Sequence, residues 1–382
     1  MSQITNPATE EANTELTFGI ELEYILSTVA PGRPNPHPAD PREVNGEILW
    51  EIDPINYDIL EKLREVGVPA TVVSGDYKCK VPVLDEDRLT TWLLKSDSSV
   101  GVTEADLKAD RYVEYGLEIS SPPYHYNQAS REVIETVVRT LRKNYLVRVN
   151  ATTGFHVHVG NGFSGIESEP LRNLMAIAWT YERQIHSIFS EERMSSKWCR
   201  SFDTSKLCKH YPGLTRLELL NRILSFSSVN EIVWHFHSHL WSIDRLVFNI
   251  ENLSTPYHSE KRTIEFRHHP GTLDLEAILH WLHVCVKLVE KAYRIKDNDE
   301  LFARLRADAD KPIGCGEDQS IQEATWFRNG PDRNLDAVFM GNVPEFSTSG
   351  KDIFTDLART RKPADDIGKR ANSRRPTSIS SE

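Results

Sequence analysis

Residues 18–24 read Phe18-Gly19-Ile20-Glu21-Leu22-Glu23-Tyr24. Apolar and polar positions alternate through them. Phe18, Ile20, Leu22, Tyr24 and Leu26 fall on one side of an extended chain, and Thr17, Gly19, Glu21, Glu23 and Ile25 on the other. A strand covered on both faces would exclude both carboxylates, and an ordinary exposed strand has no need of the interleaved Phe, Ile, Leu and Tyr. The stretch predicts a strand with one packed face and one face on which two carboxylates stand roughly 6.5 to 7 Å apart.

Three later segments repeat the pattern. In Tyr115–Pro122, Tyr115, Leu117 and Ile119 oppose Gly116, Glu118 and Ser120. In Thr153–Gly160, Phe155, Val157 and Val159 oppose Gly154, His156, His158 and Gly160. In Arg262–His269, Ile264 and Phe266 oppose Thr263, Glu265, Arg267 and His269. Any one of these is also what a half-solvated antiparallel strand looks like. Solvated faces, however, are rich in Lys, Thr and Ser, whereas the outward set here is Glu, His and Arg among small glycines. One imidazole among several carboxylates suits hard ions such as Mg²⁺ or Mn²⁺, and a His-rich set would suit zinc. Arg267, two residues after Glu265, adds a planar fork that matches phosphate.

The remainder of the 382 residues is consistent with one large mixed domain and polar tails. Acidic residues outnumber basic ones 56 to 45, a net charge of -11, which argues against nucleic acid as a partner. No apolar run is long enough to cross a bilayer, and the start lacks the basic and apolar regions of a leader, so a cytoplasmic protein without membrane contact is expected. Five scattered cysteines without a Cys-x-x-Cys pair predict reduced thiols. Residues 1–14 and 341–382 read as disordered ends, and 301–340 as an extension packed on the domain. The basic clusters of the final tail could act as a nuclear address, though a solvated tail is the simpler reading. The proline-rich residues 30–41 are either a lid or an insertion.

Helical periodicity marks Ile55–Val66, Ala129–Tyr145, Pro170–Phe189, Leu214–Phe226, Val229–Leu240 and Leu273–Arg294, the last with Asp274 as its N-cap. A short strand signal falls at Thr71–Ser74, and Ser96-Asp97-Ser98-Ser99 reads as a turn.

The ordered set FGIELEY, YGLEISSPP, TTGFHVHVG and TIEFRHHPGTLD resembles the amidoligase family, within the superfamily of glutamine synthetase and glutamate–cysteine ligase. The resemblance spans about Leu16 to Arg294 and implies an α+β fold for residues 15–300. That fold is a curved antiparallel sheet with a polar concave active-site face and helices packed behind, like the glutamine synthetase catalytic domain. It implies ATP and two or more Mg²⁺ or Mn²⁺ ions as cofactors, with a small-molecule or peptide carboxylate and an amine as substrates. Glu21 and Glu23 would hold different ions, Glu118 joining the ion of Glu23, and His156 and Glu265 that of Glu21. Arg267 would contact the transferred phosphoryl group, His158 a substrate or phosphate, and Asp97 falls where the family has an acidic strand end. The chain lacks a counterpart of the separate N-terminal domain of glutamine synthetase, so that enzyme's ring is not implied, nor any particular oligomeric state.

Two other classes fit the same residues: a metal-dependent hydrolase without ATP, and a ligase homologue that binds nucleotide or peptide without catalysis. Arg267 argues against the first, and the retained ligands against the second. Elsewhere, His235, His237 and His239 are read first as helix histidines, and Trp281 as core. Arg193, Lys197 and Arg200 form either a solvated face or a contact for an acidic group. Asn249 and Asn252 belong to a hairpin near the site or to a turn.

Overall fold

A computed structural model of the chain describes residues 16–29, 32–42, 53–73, 85–101, 112–237, 244–254 and 261–309. The expected disordered ends, most of the 301–340 extension, Cys79, Cys315 and His239 lie outside them.

Among the described residues nine strands form one sheet: β1 (Thr17–Thr28), β2 (Ala70–Val72), β3 (Trp92–Ser96), β4 (Val113–Ser120), β5 (Tyr124–His125), β6 (Val147–Arg148), β7 (Gly154–Gly160), β8 (Phe248–Asn249) and β9 (Thr263–Pro270). The order is β2-β3-β4-β1-β7-β9-β8, with β5 and β6 also pairing with β1. Only β2 and β3 run parallel, so the fold is α+β with a mostly antiparallel, open, curved sheet. The four strands singled out by their alternation are β4, β1, β7 and β9, which are consecutive neighbours.

The register carries the alternation from strand to strand. Glu23 lies opposite Glu118, Glu21 opposite both Ser120 and His156, and His158 opposite both Gly19 and Glu265. All chemistry-bearing residues of these strands thereby share one face. Phe18, Ile20, Leu22, Leu117, Ile119, Phe155, Val157, Val159, Ile264 and Phe266 line the other and are buried.

The helices are α1 (Asp53–Glu65), α2 (Asp85–Thr90), α3 (Gln128–Asn144), α4 (Ser168–His186), α5 (Glu191–Met194), α6 (Lys206–His210), α7 (Arg216–Ser225), α8 (Val229–His235), α9 (Leu275–Tyr293) and α10 (Asn298–Asp308). Asp274 caps α9 as expected, accepting from Ala277 N at 3.0 Å. α9 packs against β7, α3 and α4, and α1 packs against β2, β3 and α3. Trp281 of α9 is fully buried, in keeping with its core reading. α10 packs on α4 and α7 and spans residue 300, where composition had placed a boundary. No helix among the described residues is long and apolar enough to cross a membrane. Cys199, Cys208 and Cys285 are free thiols.

One expectation is corrected. Strict alternation puts His269 on the polar face with Glu265 and Arg267. Between the pairs Val157–Phe266 and Phe155–His269, however, the register shifts, so that Arg267 and His268 together oppose His156. This bulge turns His269 to the apolar side, its ring centroid 5.5 Å from that of Phe155 and 6.2 Å from that of Trp281. His268 is also buried there, among Phe248, Phe189 and Trp281, with no hydrogen-bond partner on either nitrogen. Burial holds that imidazole well below its usual pKa and therefore neutral. A buried polar ring without partners costs stability that an apolar ring of similar shape does not. His268→Phe is expected to raise the melting temperature by the equivalent of about 1 kcal/mol. Scanning calorimetry of the two proteins checks this, a lower melting temperature being the contrary result.

Candidate active site

Glu21, His156 and Glu265 stand on three adjacent strands, and one donor atom of each lies within 4.8 Å of the others. His156 Nδ1 is 3.4 Å from Glu21 Oε2, 3.6 Å from Glu265 Oε1 and 3.7 Å from Glu23 Oε1. Three carboxylates thus converge on one imidazole nitrogen. His158, whose Nδ1 lies 3.0 Å from Thr263 Oγ1, brings its Nε2 within 3.2 Å of Glu21 Oε1. Lys261, just ahead of β9, places its ammonium 2.7 Å from the same oxygen.

A second group lies one register step away. Glu23 Oε2 accepts a 2.6 Å hydrogen bond from Gly154 N. Glu118, its cross-strand partner, accepts from Ser120 Oγ at 2.7 Å and pairs with Lys95 at 2.9 Å. Gly154 is a requirement of the space: a Cβ there would meet His156 Nε2 at 2.5 Å and an Arg193 terminal nitrogen at 2.8 Å. Asp97 sits at the rim past the end of β3, its Oδ1 accepting from the backbone N and hydroxyl of Ser99, both at 2.7 Å. Its charge acts on Glu23 without belonging to either carboxylate group.

Arg267 is bound on two sides. One terminal nitrogen pairs with Glu265 Oε1, and Nε donates to the Trp198 carbonyl at 2.8 Å. Asn249 on β8 donates to the other oxygen of Glu265 at 2.8 Å, while its own Oδ1 accepts from Glu251 N at 3.1 Å, so it serves the site and the turn together. Arg193 is buried and donates to the Arg267 carbonyl at 2.7 Å. The basic trio therefore divides: Arg193 enters the site, the Lys197 ammonium sits over the Trp198 ring, and Arg200 pairs with Asp244. Asn252 lies in a short 3-10 turn. His235 is stacked on Phe226, His237 approaches Glu251 at 3.5 Å, and these histidines form no metal cluster among the described residues.

Burial and neighbouring charge divide the carboxylates into two states. Burial raises Glu23 to about 8, helped by Asp97 and Glu118 and opposed by Arg267 and Arg193. Burial and the charge of Glu21 raise Glu118 to about 7. Burial would raise Glu265 as well, but Arg267, His158 and His156 outweigh it and hold it at about 2. Glu21 behaves likewise, burial being overcome by His158 and Lys261, so that its carboxyl lies well below the usual range. Burial, then Arg267, lowers His156 to about 4 against the pull of Glu21 and Glu265. This imidazole is neutral at neutral pH and keeps a lone pair for a ligand.

Lys261 and Lys95 are not among the site residues expected from sequence, and Arg193 is expected only as one member of a basic trio that could equally be a solvated face. Lys261 has a signal, because Lys261, Thr263 and Glu265 continue the same two-residue period. Nothing in the sequence separates Arg193 from Lys197 and Arg200, since it arrives from a turn of helix after α4.

A sheet with a packed underside and an open side that gathers four carboxylates, two imidazoles and two guanidiniums is the scaffold of an enzyme's polar active centre. The chain belongs to the amidoligase family: the family model described as "Putative amidoligase enzyme" matches residues 14–289. Membership makes it a ligase that forms amide bonds. No curated protein matches it.

Proposed function

We infer that the chain is an ATP-dependent carboxylate–amine ligase that activates its acid as an acyl phosphate, on a sheet of the glutamine synthetase kind. The convergence of Glu21, His156 and Glu265 beside Arg267 carries this reading, since it pairs a carboxylate-rich donor set with a phosphate-shaped fork. These residues fit a divalent ion. His156 is neutral, its Nε2 is buried without a hydrogen-bond partner, and three carboxylate oxygens stand at 3.4 to 3.7 Å from its Nδ1. Glu21, His156 and Glu265 would hold one Mg²⁺ or Mn²⁺ ion, and Glu23 with Glu118 another. Bound there, such ions supply charge neutralisation at the β- and γ-phosphates.

The chain's own residues do the rest. Arg267, held by Glu265 and the Trp198 carbonyl, points its positive charge at the phosphoryl group in transfer. His158, oriented by Thr263, contacts substrate or phosphate, and Asp97 contributes at the rim. An oxygen of the substrate carboxylate attacks the γ-phosphorus and ADP leaves. The amine nitrogen then attacks the acyl carbon, and phosphate leaves with formation of the amide. The test is a screen of carboxylate and amine libraries for phosphate release from ATP with Mg²⁺, products being read by mass spectrometry. ADP that forms only when acid and amine are both present supports the ligase, and product from a single substrate without ATP supports a hydrolase instead.

The pKa pattern predicts how stability depends on pH in chelator. Glu23 and Glu118 are raised from an ordinary 4.5, so their contribution is complete below that value and is lost as pH climbs through about 7 to 8. Glu265, lowered to about 2, contributes above 4.5 and loses its contribution as pH falls toward 2. His156, His186, His268, His269 and His283, all lowered by burial from an ordinary 6.5, make stability rise with pH below that value. Chelated protein should therefore melt at progressively lower temperature from about pH 7 to about pH 8. Excess Mn²⁺ should recover most at the alkaline end, with release of protons on binding. Fluorimetric melts across that range decide the matter, a flat profile in chelator being the contrary result.

A further inference from the structure

Lys261 differs from the other cations of the site in how it is held. Arg193 is buried and Arg267 has only 12% of its side chain exposed, both are bonded to backbone carbonyls, and Lys95 projects from a paired strand. Lys261 instead precedes β9, with its side chain 53% exposed, while the Glu21 side chain that it meets at 2.7 Å is only 12% exposed. The ammonium thus reaches down from the rim to a carboxylate that belongs to the candidate ion site.

The chain is bent to make this reach. Arg262, the next residue, has φ +46 and is the one non-glycine residue with positive φ among the described residues. Side chains disfavour that conformation, and where it persists the surroundings impose it. Here they do so through close packing on β7. A Cβ on Gly160 would stand 3.3 Å from the Arg262 carbonyl oxygen and 3.0 Å from Thr263 Cγ2, so a larger residue there would press the turn away from β7. A turn shaped in this way directs Lys261 toward Glu21.

We propose that Lys261 is a displaceable counter-ion of Glu21, which a divalent cation competes away and which then serves the phosphate chain of the nucleotide. A divalent ion beside His156 would sit on Glu21 Oε2 while the ammonium sits on Oε1 of the same carboxylate, so the two positive charges repel at close range and binding of the ion weakens the pair. Lys261 is the cation that can leave at least cost, because its stem is already half in solvent and its flexible four-carbon chain reorients freely. Once detached it stays tethered beside the ion, where bound phosphates would add their negative charge to that of Glu265 and Glu118. The identity of that anion rests on the ligase reading; the competition for Glu21 does not.

The test measures Mn²⁺ binding by the loss of the free-ion EPR signal, and then binding of a non-hydrolysable ATP analogue at saturating Mn²⁺, for the full chain and for Lys261→Met and Lys261→Arg. Without nucleotide, Lys261→Met should bind its first Mn²⁺ roughly fivefold tighter, the order expected from removing one partly exposed ion pair. Lys261→Arg should stay near the wild type. With Mn²⁺ present, the nucleotide analogue should bind Lys261→Met roughly tenfold more weakly, the loss of a charge-assisted contact. Unchanged or weaker Mn²⁺ binding by Lys261→Met overturns the competition and leaves the ligase reading standing. Tighter Mn²⁺ binding with undiminished nucleotide affinity overturns the assignment to phosphate. Wild-type protein that binds Mn²⁺ but no nucleotide overturns the ligase reading, while the competition is still judged on the Mn²⁺ data.

Discussion

Glu21→Gln is expected to abolish measurable ATP turnover and to weaken Mn²⁺ binding by at least about a hundredfold, with little change in folding. The substitution keeps the shape of the side chain and removes the charge that would hold an ion. Among the carboxylates Glu21 is the clean choice because of its partners. Lys261 is already half exposed to water, so losing the pair leaves no buried cation behind, and His158 keeps Thr263. Glu265 is not equivalent: it anchors Arg267 and Asn249 together, and its loss would loosen two strands at once. Turnover, Mn²⁺ titration and melting temperature on one preparation check this, and wild-type turnover in Glu21→Gln would remove Glu21 from the machinery.

Arg267→Lys should lower kcat by about 10² to 10³ while the KM for ATP moves little. Lysine preserves the charge and gives up the planar fork, so ground-state attraction for phosphate survives and the directed contact in the transition state does not. Alanine is the weaker experiment. Glu265 is buried, and removing the charge of Arg267 strands it without its main counter-ion, a change of the kind that costs about 3 to 5 kcal/mol. Loss of activity in Arg267→Ala would then report misfolding as readily as chemistry. Steady-state kinetics of the lysine variant decide, and an unchanged kcat would show that the fork is not used.

Much of this site is legible in the sequence because a strand has a period of two. Four alternating segments separate core from chemistry, and the motif resemblance orders them, but neither says which strands are neighbours. The sheet supplies that information: β4, β1, β7 and β9 lie side by side, so Glu118, Glu23, His156 and Glu265 meet although they are spread over most of the domain. Periodicity fails where the period itself is broken. The bulge between Phe266 and His269 inserts one residue into β9 and sends His269 to the core, an event with no local signature beyond the His268-His269 pair.

Other residues were missed for different reasons. Asn249 lies on a two-residue strand, too short to show alternation, and its role follows from pairing with β9. Arg193 reads as a surface charge until its guanidinium is placed under the Arg267 carbonyl. Lys261 was readable by period and passed over, since exposed lysines next to strands are common and carry no chemistry of their own. Tertiary approach, not composition, distinguishes these residues from their solvated counterparts.

Acyl phosphate formation leaves a mark that no other route shares. Once the screen has identified an acid, the same acid labelled with ¹⁸O in its carboxylate can be turned over with unlabelled ATP and amine. Attack of a carboxylate oxygen on the γ-phosphorus, followed by amide formation, leaves that oxygen on the departing phosphate. The account predicts inorganic phosphate carrying one ¹⁸O atom for each amide formed. Amide formation with unlabelled phosphate, or with the label in AMP, would contradict it.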